Sequence, residues 1–231
     1  MFRIAIRVVC LVAVLLGSSQ AAAGVIDTFP ANFYGFTFGE FTWGSGYQGQ
    51  MFVAPADPLD SLMLEFSPVS GFGHEDAEFR LLVTPTAGTP GVDLHPASNV
   101  LFESPDLSVS LGNGLQQLTV EFGALALSPG DTYLFLLDGF VLSDGTPGLT
   151  NIGLRTDDAY PPGYVITSSV TGGDRQSHFA GPWAQGTHVD FAMRLNAIPE
   201  PSSVLMALLG VVVFSAFGWR KRQRFLRSPN L

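Results

Sequence analysis

Hydrophobic and polar side chains alternate at every second position along three stretches in the middle of the chain. This alternation is the period of a β-strand with one face on a core and the other in solvent. It is weaker over Leu59 to Phe66, whereas Tyr133 to Leu137 is apolar throughout, as in a central strand covered on both faces. We therefore predict half-buried antiparallel strands at the three alternating stretches, Ala77 to Thr84, Gln117 to Phe122 and Val189 to Asn196.

Clusters of glycine, proline, serine and aspartate separate these strands and predict turns between them, as at Ser128-Pro129-Gly130-Asp131. No helical stripe of ten or more residues occurs between Gly24 and Ile198. The pattern predicts an all-β fold, an antiparallel β-sandwich of about eight to ten strands with a jelly-roll-like arrangement.

The carboxyl end of the chain has a different pattern from the middle. Pro199 and Pro201 favour an extended backbone of the kind that a protease cleft accepts. An uncharged apolar run follows to Trp219, and five cations lie within residues 220–227. The sixteen residues from Val204 to Trp219 span about 24 Å as a helix, slightly short of a hydrocarbon core of about 30 Å. A buried helix of a soluble domain is the alternative, but such a helix does not usually end in five cations.

This tail resembles the PEP-CTERM sorting signal of exported bacterial proteins, which has a Pro-Glu-Pro motif, a transmembrane helix and an arginine-rich end. The resemblance implies a signal at residues 198–227, with the helix at 203–219 and the basic tail at 220–227. It implies exosortase as a partner and a transient association with the membrane. Its recognition triplet would be Pro199, Glu200 and Pro201, and its cytoplasmic basic stop Arg220, Lys221 and Arg222.

The amino end has the pattern of a secretory signal peptide. Arg3 and Arg7 precede an apolar stretch from Val8 to Gly17, and Ala21-Ala22-Ala23 supplies small residues for cleavage after Ala23. We predict a signal peptide at 1–23, an exported domain at 24–197 and export through Sec. The protein would pass through an inner-membrane intermediate and reach the cell surface or the extracellular space.

The composition of the exported part restricts its partners. Between Gly24 and Ile198 there are four arginines, no lysine and nineteen Asp and Glu residues, which gives a formal charge of −15. Such a surface disfavours nucleic acid and anionic lipid, whereas divalent cations and cationic or neutral polymers remain compatible with it. The acidity can also serve solubility alone. Cys10 is the single cysteine and lies in the predicted signal peptide, so the mature domain has no disulfide.

A second resemblance concerns the exported domain itself. The order of its strands and turns looks like the recurring ectodomain of exosortase-sorted proteins, which is similar to galactose-binding-like sandwiches. The resemblance supports fold and location and carries no catalytic signature. The segments that carry it are Gln50 to Pro55, Leu62 to Phe66, Phe79 to Val83, Val120 to Tyr133, and Trp183 with Asp190 to Arg194.

Motifs of known chemistry are scarce in the sequence. No Gly-x-Ser-x-Gly elbow and no His-Glu-x-x-His motif occurs. We therefore expect a protein without enzymatic activity, and a hydrolase of unrecognised type is the less favoured alternative. No cofactor is expected, although a structural calcium ion remains open. The weak metal-ligand cluster in the sequence is formed by His74, Glu75, Asp76 and Glu78.

Aromatic residues in loops rich in glycine and proline are the remaining candidates for a binding site. Flat rings of this kind stack on sugar faces, and they equally fill the ends of a sandwich core. The preferred hypothesis is a structural or adhesive component of a biofilm or exopolysaccharide layer, and a carbohydrate-binding module is the alternative. The residues concerned are Trp43, Tyr47, Tyr160, Tyr164 and Trp183.

Overall fold

Strands account for most of the regular structure. The computed structural model describes residues 26–38, 47–68, 77–110, 114–139, 150–168, 170, 174–186 and 189–198, with the backbone alone at 35–38. Residues 24–198 form one compact unit. The described residues contain fifteen strands and one helix: β1 Ile26–Asp27, β2 Phe33–Phe38, β3 Tyr47–Val53, β4 Leu59–Pro68, β5 Ala77–Ala87, β6 His95–Pro96, β7 Phe102–Glu103, β8 Leu107–Val109, β9 Gln116–Leu125, β10 Thr132–Asp138, β11 Thr150–Arg155, β12 Val165–Ser168, α1 Arg175–Ala180, β13 Trp183–Gly186, β14 Asp190–Phe191 and β15 Met193–Ala197.

These strands form two antiparallel sheets. The first sheet has the order β1-β15-β4-β11-β14, with β2 also paired to β11 and β9 also paired to β4. The second has the order β13-β12-β3-β10-β5-β6, with β7 and β8 also paired to β5. Strand β10 lies at the centre of the second sheet, between β3 and β5. Its neighbour β3 requires a glycine, because a Cβ on Gly49 would lie 2.3 Å from the carbonyl oxygen of Phe135.

The main hydrophobic core lies between the two sheets. The rings of Phe52 and Phe135 stack with centroids 4.1 Å apart. Phe66 of the first sheet meets Phe79 of the second at 5.4 Å. Each fully buried side chain of this size contributes about 1.5–3 kcal/mol to folding. This core therefore provides stability that a domain without cysteine cannot take from disulfides.

A second hydrophobic cluster, which we call the outer cluster, covers the other face of the second sheet. Phe179 of α1 and Leu94 of the segment between β5 and β6 lie over it. The second sheet is thus covered on both faces over much of its area, which explains why β10 is apolar at consecutive positions. The buried members of the outer cluster are Tyr47, Met51, Leu82, Leu94, Leu134, Leu136, Ile166 and Phe179.

The prediction of an all-β fold is confirmed at the level of two antiparallel sheets with one short helix among the described residues. Four of the five strand stretches named from the sequence are single strands, whereas Val189 to Asn196 is divided at Ala192 between β14 and β15. The predicted number of eight to ten strands was too low, because several edge segments pair over only two or three residues. The prediction of half-buried strands was wrong at two places. Leu82 and Thr84 are buried at the end of Ala77 to Thr84, where the outer cluster covers Leu82, and Asp190 and Ala192 are buried in the last stretch. The jelly-roll and galactose-binding-like details stay predictions.

Candidate functional site

The outer cluster brings together three of the aromatic residues that the sequence nominated. Tyr47 was placed in a loop, and this was wrong: it begins β3 and is fully buried. Its ring contacts His178, with centroids 4.7 Å apart, and lies edge-on to Trp183 at 6.4 Å. Stacking of a sugar directly on Tyr47 is therefore excluded in this conformation. Trp43 lies outside the described residues.

Trp183 and Tyr164 are partly buried against the same cluster. The indole N–H of Trp183 donates to the carbonyl oxygen of His178 at 3.0 Å, which fixes the ring beside α1. Tyr164 is held through its backbone, because its carbonyl accepts from the N–H of Met51 at 2.9 Å. The ring of Trp183 thus combines a fixed position with partial exposure, whereas the hydrogen bond of Tyr164 fixes only its backbone.

Tyr160 belongs to the main core rather than to this face. Its hydroxyl accepts from the backbone N–H of Val53 at 3.0 Å, and its own N–H donates to Asp190 at 2.8 Å. Asp190 is fully buried and also accepts from Gln50 at 2.9 Å. Burial raises the pKa of Asp190 and that of Tyr160. This group anchors the loop before β12 and leaves Tyr160 a structural role.

Helix α1 is positioned by its cap and by one arginine. The side chain of Asp174 accepts from the backbone N–H of Ser177 at 2.8 Å, which is a normal N-cap. Arg175 donates to Glu103 with two nitrogens, each at 2.9 Å, and to Asp138 at 2.9 Å. Asp138 has no exposed side-chain surface, and the guanidinium of Arg175 contacts its carboxylate. This network was not predicted from the sequence, although Asp174 before a short helix is a readable N-cap signal.

The pKa values of the network follow from these contacts. Hydrogen bonds from Arg175 lower the pKa of Glu103 to about 2, and Arg80 adds to the effect at 2.9 Å. The pKa of Arg175 is raised, first by its hydrogen bond to Glu103. Burial, followed by the nearby charge of Asp138, raises the pKa of Tyr47. Glu103 and Arg175 are therefore both ionised at neutral pH.

Ser168 and His178 form a hydrogen bond beneath α1, with Oγ and Nδ1 2.8 Å apart. A serine next to a histidine is the arrangement that nucleophilic catalysis uses. Ser168, however, is only 2% exposed, and its hydroxyl also accepts from the N–H of Val170 at 3.3 Å. The pair joins β12 to α1 and offers a substrate no visible access to the hydroxyl.

An open cavity of about 790 Å³ lies between α1 and the segment that follows β5. Its volume is within the range of small-ligand sites. The polar side chains on its wall include Ser98 and Gln176, and Arg175 borders it with its charge already matched by two carboxylates. A neutral ligand suits this wall better than an anion. The lining residues are Ala87, His95, Pro96, Ala97, Ser98, Arg175, Gln176, Phe179 and Ala180.

Every arginine of residues 24–198 is paired with a carboxylate. These four arginines are the only Lys or Arg residues in that range. The domain surface therefore has acidic groups in excess and no arginine left to bind a polyanion. The pairs are Arg80 with Glu103 and Asp106, Arg155 with Asp157, Arg175 with Glu103 and Asp138, and Arg194 with Asp27.

The described residues contain no group of three or more His, Asp or Glu side chains placed to hold a metal ion. Of the weak metal cluster from the sequence, only Glu78 is described. It lies on β5, opposite Ser108 of β8. The other three members, His74, Glu75 and Asp76, lie outside the described residues.

The first and last strands of the domain pair with each other. Ile26 lies opposite Leu195, and Asp27 lies opposite Arg194. Because the pairing is antiparallel, the start of β1 and the end of β15 lie at the same end of the domain. The last described residue, Ile198, donates its N–H to the carbonyl oxygen of Pro58 at 2.8 Å.

Apart from Ile198, the residues of both predicted targeting signals lie outside the described part of the chain. They include Ala23 at the amino end, and Pro199, Glu200, Pro201, Arg220, Lys221 and Arg222 at the carboxyl end. No helix of the described segments is long and apolar enough to cross a membrane. The predicted helix at 203–219 is not among them.

Comparison with known proteins identifies the carboxyl-terminal segment. Residues 197–223 match the family model of the PEP-CTERM protein-sorting motif. The chain matches no curated protein and no solved structure. The motif indicates sorting by exosortase to the cell surface, with exosortase as the processing partner. The sorting motif predicted from the Pro-Glu-Pro triplet is thus confirmed, and the chain is a protein that carries a PEP-CTERM sorting signal.

Proposed function

We propose that this protein is a non-enzymatic component of the cell surface or extracellular matrix, with a structural or adhesive role in a biofilm or exopolysaccharide layer. The observation that carries the proposal is the position of the sorting motif. The match begins at Ala197, which is the last residue of β15. The sorting signal therefore directly follows a folded β-sheet domain, which is the part to be delivered.

The proposed route uses both ends of the chain. Residues 1–23 would direct export through Sec and be removed after Ala23. The apolar segment at 203–219 would then hold an inner-membrane intermediate, with Arg220, Lys221 and Arg222 on the cytoplasmic side. Exosortase would remove this tail. The strongly acidic surface is compatible with an extracellular location, because it keeps the exported domain soluble.

The proposal includes that the exported domain has no enzymatic activity and binds no cofactor. The burial of Ser168 supports it, because this serine is the described residue that most resembles an activated nucleophile. Thermal melts of the mature domain with calcium and with EDTA test for a cofactor, because a ligand that binds only the folded state raises its stability. A calcium-dependent rise in melting temperature would show that a structural ion is present. Turnover of any polysaccharide by the purified domain would refute the non-enzymatic assignment.

Cell fractionation tests the sorting route. In cells with an active exosortase, we expect a mature protein at the cell surface that lacks the segment from Val204 to Arg227. Replacement of Pro199, Glu200 and Pro201 by alanine should leave the tail attached and the protein in the membrane fraction. A matched control replaces Pro161 and Pro162, which lie in an exposed turn of the domain. Full-length protein that is soluble in the cytosol with both ends intact would refute the route.

A carbohydrate-binding role is the second candidate, and the outer cluster favours it. Trp183 and Tyr164 are partly exposed on the same cluster, and Phe179 links that cluster to the open cavity beside α1. In a polysaccharide pull-down, the Trp183→Ala domain should bind with an affinity at least about tenfold lower than that of the wild type. The core variant Tyr160→Phe should bind with the wild-type affinity. Circular dichroism must show that both variants are folded. A flat response of the wild-type domain across a glycan array would remove this candidate.

A further inference from the structure

Strand β9 lies at an edge of the first sheet. It pairs with β4 on one side, from Gln116 opposite Phe66 to Leu125 opposite Leu59. On its other side, it pairs with no strand of the described part of the chain. Its ten residues make it the longest described strand that is paired on one side alone, because the others of this kind span two to six residues. Within the described residues, the outward N–H and C=O groups of β9 thus have no strand to bond.

The sequence of this edge lacks most of the features that keep edge strands from pairing. Natural proteins protect such edges with lysine, proline, charged side chains or bulges. Residues 114–125 contain no lysine and no proline, and Glu121 is the single charged side chain among them. The ladder becomes irregular beyond Glu121, where Gly123 and Ala124 have positive φ angles of 64° and 67°. The regular segment of the edge therefore extends from Gln116 to Phe122.

Apolar side chains along this segment are incompletely covered. Leu115, directly before β9, is 58% exposed. Leu118 packs against the main core but is only partly buried, whereas Val120 and Phe122 on the same face of the strand are buried. A further strand beside β9 would remove more of the Leu115 and Leu118 surface from water, which is favourable.

The segment can pair with the same segment of a second copy about a two-fold axis. In such a contact, residue i lies opposite residue j and residue j opposite residue i. With the axis at Thr119, the whole regular segment is paired, since Gln116 lies opposite Phe122 of the second copy. Glu121 then lies opposite Gln117 of the second copy. No two carboxylates face each other, so the pairing avoids the like-charge contacts that destabilise a sheet.

The charge of the domain makes this edge a better contact between copies than most of its surface. Residues 24–198 have a formal charge of −15, so two copies repel each other in most orientations. The twelve residues 114–125 contain a single carboxylate, so two copies approach each other here with little charge between them. Copies sorted to one cell surface also meet at high local concentration. A second copy is therefore the partner that this edge fits.

We infer that β9 is a self-association edge, at which two copies pair their β9 strands antiparallel about Thr119 and join their first sheets into one continuous sheet. The inference goes beyond the proposed surface role and does not depend on the sorting route. Residues 116–122 form a small contact beside the roughly 20–30 residues a side of a standard interface. The dimer is therefore weak and forms where the protein is concentrated.

Sedimentation of the purified domain, residues 24–198, tests the inference. This range is one compact unit with its own core. We expect a monomer at about 10 μM and a growing dimer fraction toward about 1 mM. Raising the salt from about 0.01 M to about 0.15 M should strengthen the association, because the Debye length falls from about 30 Å to about 8 Å and repulsion is screened. A monomer under all these conditions would overturn the inference and leave the sorting route untouched.

A charge on the axis tests the position of the contact. Thr119 is exposed on β9, and Thr119→Glu would place two carboxylates opposite each other in the dimer. The dissociation constant should rise at least about fivefold. Thr156→Glu, in the exposed turn after β11, adds the same charge away from the edge and should keep the wild-type dissociation constant. Circular dichroism must show that both variants are folded. Equal dissociation constants for the two variants would overturn the inference.

Hydrogen exchange locates the contact without any substitution. Amide protons of residues 115–122 should exchange more slowly at about 1 mM than at about 10 μM, because pairing protects the N–H groups of the edge. Peptides that cover β13, an edge strand of the second sheet, are the control and should exchange equally at both concentrations. Protection at β13 or elsewhere without protection at β9 would overturn the inference, even if a dimer forms.

Discussion

Replacement of Arg175 by methionine provides the sharpest test of what holds α1 on the sheet. Methionine keeps an apolar stem of similar length but leaves the buried carboxylate of Asp138 without its guanidinium partner. Removing one member of a buried ion pair costs about 3–5 kcal/mol. The side chain of Arg175 is 27% exposed, which places the expected loss near the lower limit, at about 3 kcal/mol. For a domain of this size, the loss corresponds to a fall of about 6–12 °C in melting temperature.

Arg80→Met is the matched control for this experiment. Arg80 pairs with Glu103 and Asp106, whose side chains are 33% and 57% exposed. Exposed pairs contribute about 0.2–1 kcal/mol each, so the loss of both pairs in the control should cost no more than about 2 kcal/mol. Combining Arg175→Met with Asp138→Asn should recover part of the loss, because no unpaired charge then stays buried. Chemical denaturation of the domain at neutral pH measures all four proteins. Equal losses for Arg175→Met and Arg80→Met would refute the reasoning.

Two further predictions concern single residues. Because the pKa of Glu103 falls from 4.5 to about 2 on folding, its carboxylate stabilises the domain above pH 4.5, and this contribution disappears as the pH drops from about 4.5 to 2. The side chain of Glu103 is one-third exposed, so solvent screening reduces this contribution to about 1 kcal/mol. Glu103→Gln should therefore reduce the loss of stability between pH 4.5 and 2 by that amount in a stability–pH curve. An unchanged loss of stability over this pH range would contradict the prediction. Gly49→Ala should cost at least about 3 kcal/mol by thermal unfolding, since its Cβ would meet a backbone oxygen, while Gly186→Ala, with 3.7 Å to its nearest neighbour, should be nearly neutral. Similar melting temperatures for the two alanine variants would disprove the steric argument.

The sequence predicted the strands well because one physical pattern was repeated over enough residues. Inward positions of β5, from Ala77 to Val83, are buried as the alternation requires. The outer cluster was not predictable in the same way. Leu82 occupies a position at which the alternation predicts a polar side chain facing solvent. It is apolar because Phe179 of α1 belongs to the same cluster on that face of the sheet. Helix α1 spans six residues, too few to display a helical stripe.

The candidate site was predicted less well than the fold. Tyr47 and Trp183 stand in glycine-rich sequence, which suggested loops, yet both begin strands and pack beside α1. The contact of Arg175 with Asp138 joins residues 37 positions apart and leaves no periodic signal in the sequence. The sorting motif is the opposite case. Its recognition depends on a short local pattern, so Pro199 to Pro201 and the following residues were sufficient to identify it.

The pairing of every arginine in residues 24–198 affects how readily extracellular proteases can cleave the domain. Proteases of tryptic specificity cut after lysine or arginine because an aspartate lies at the base of their specificity pocket. Residues 24–198 offer them four bonds, after Arg80, Arg155, Arg175 and Arg194. Each of these arginines lies within a strand or helix and has its guanidinium bound to a carboxylate. Digestion must therefore wait for the backbone to open, which makes the folded domain a poor substrate for such enzymes.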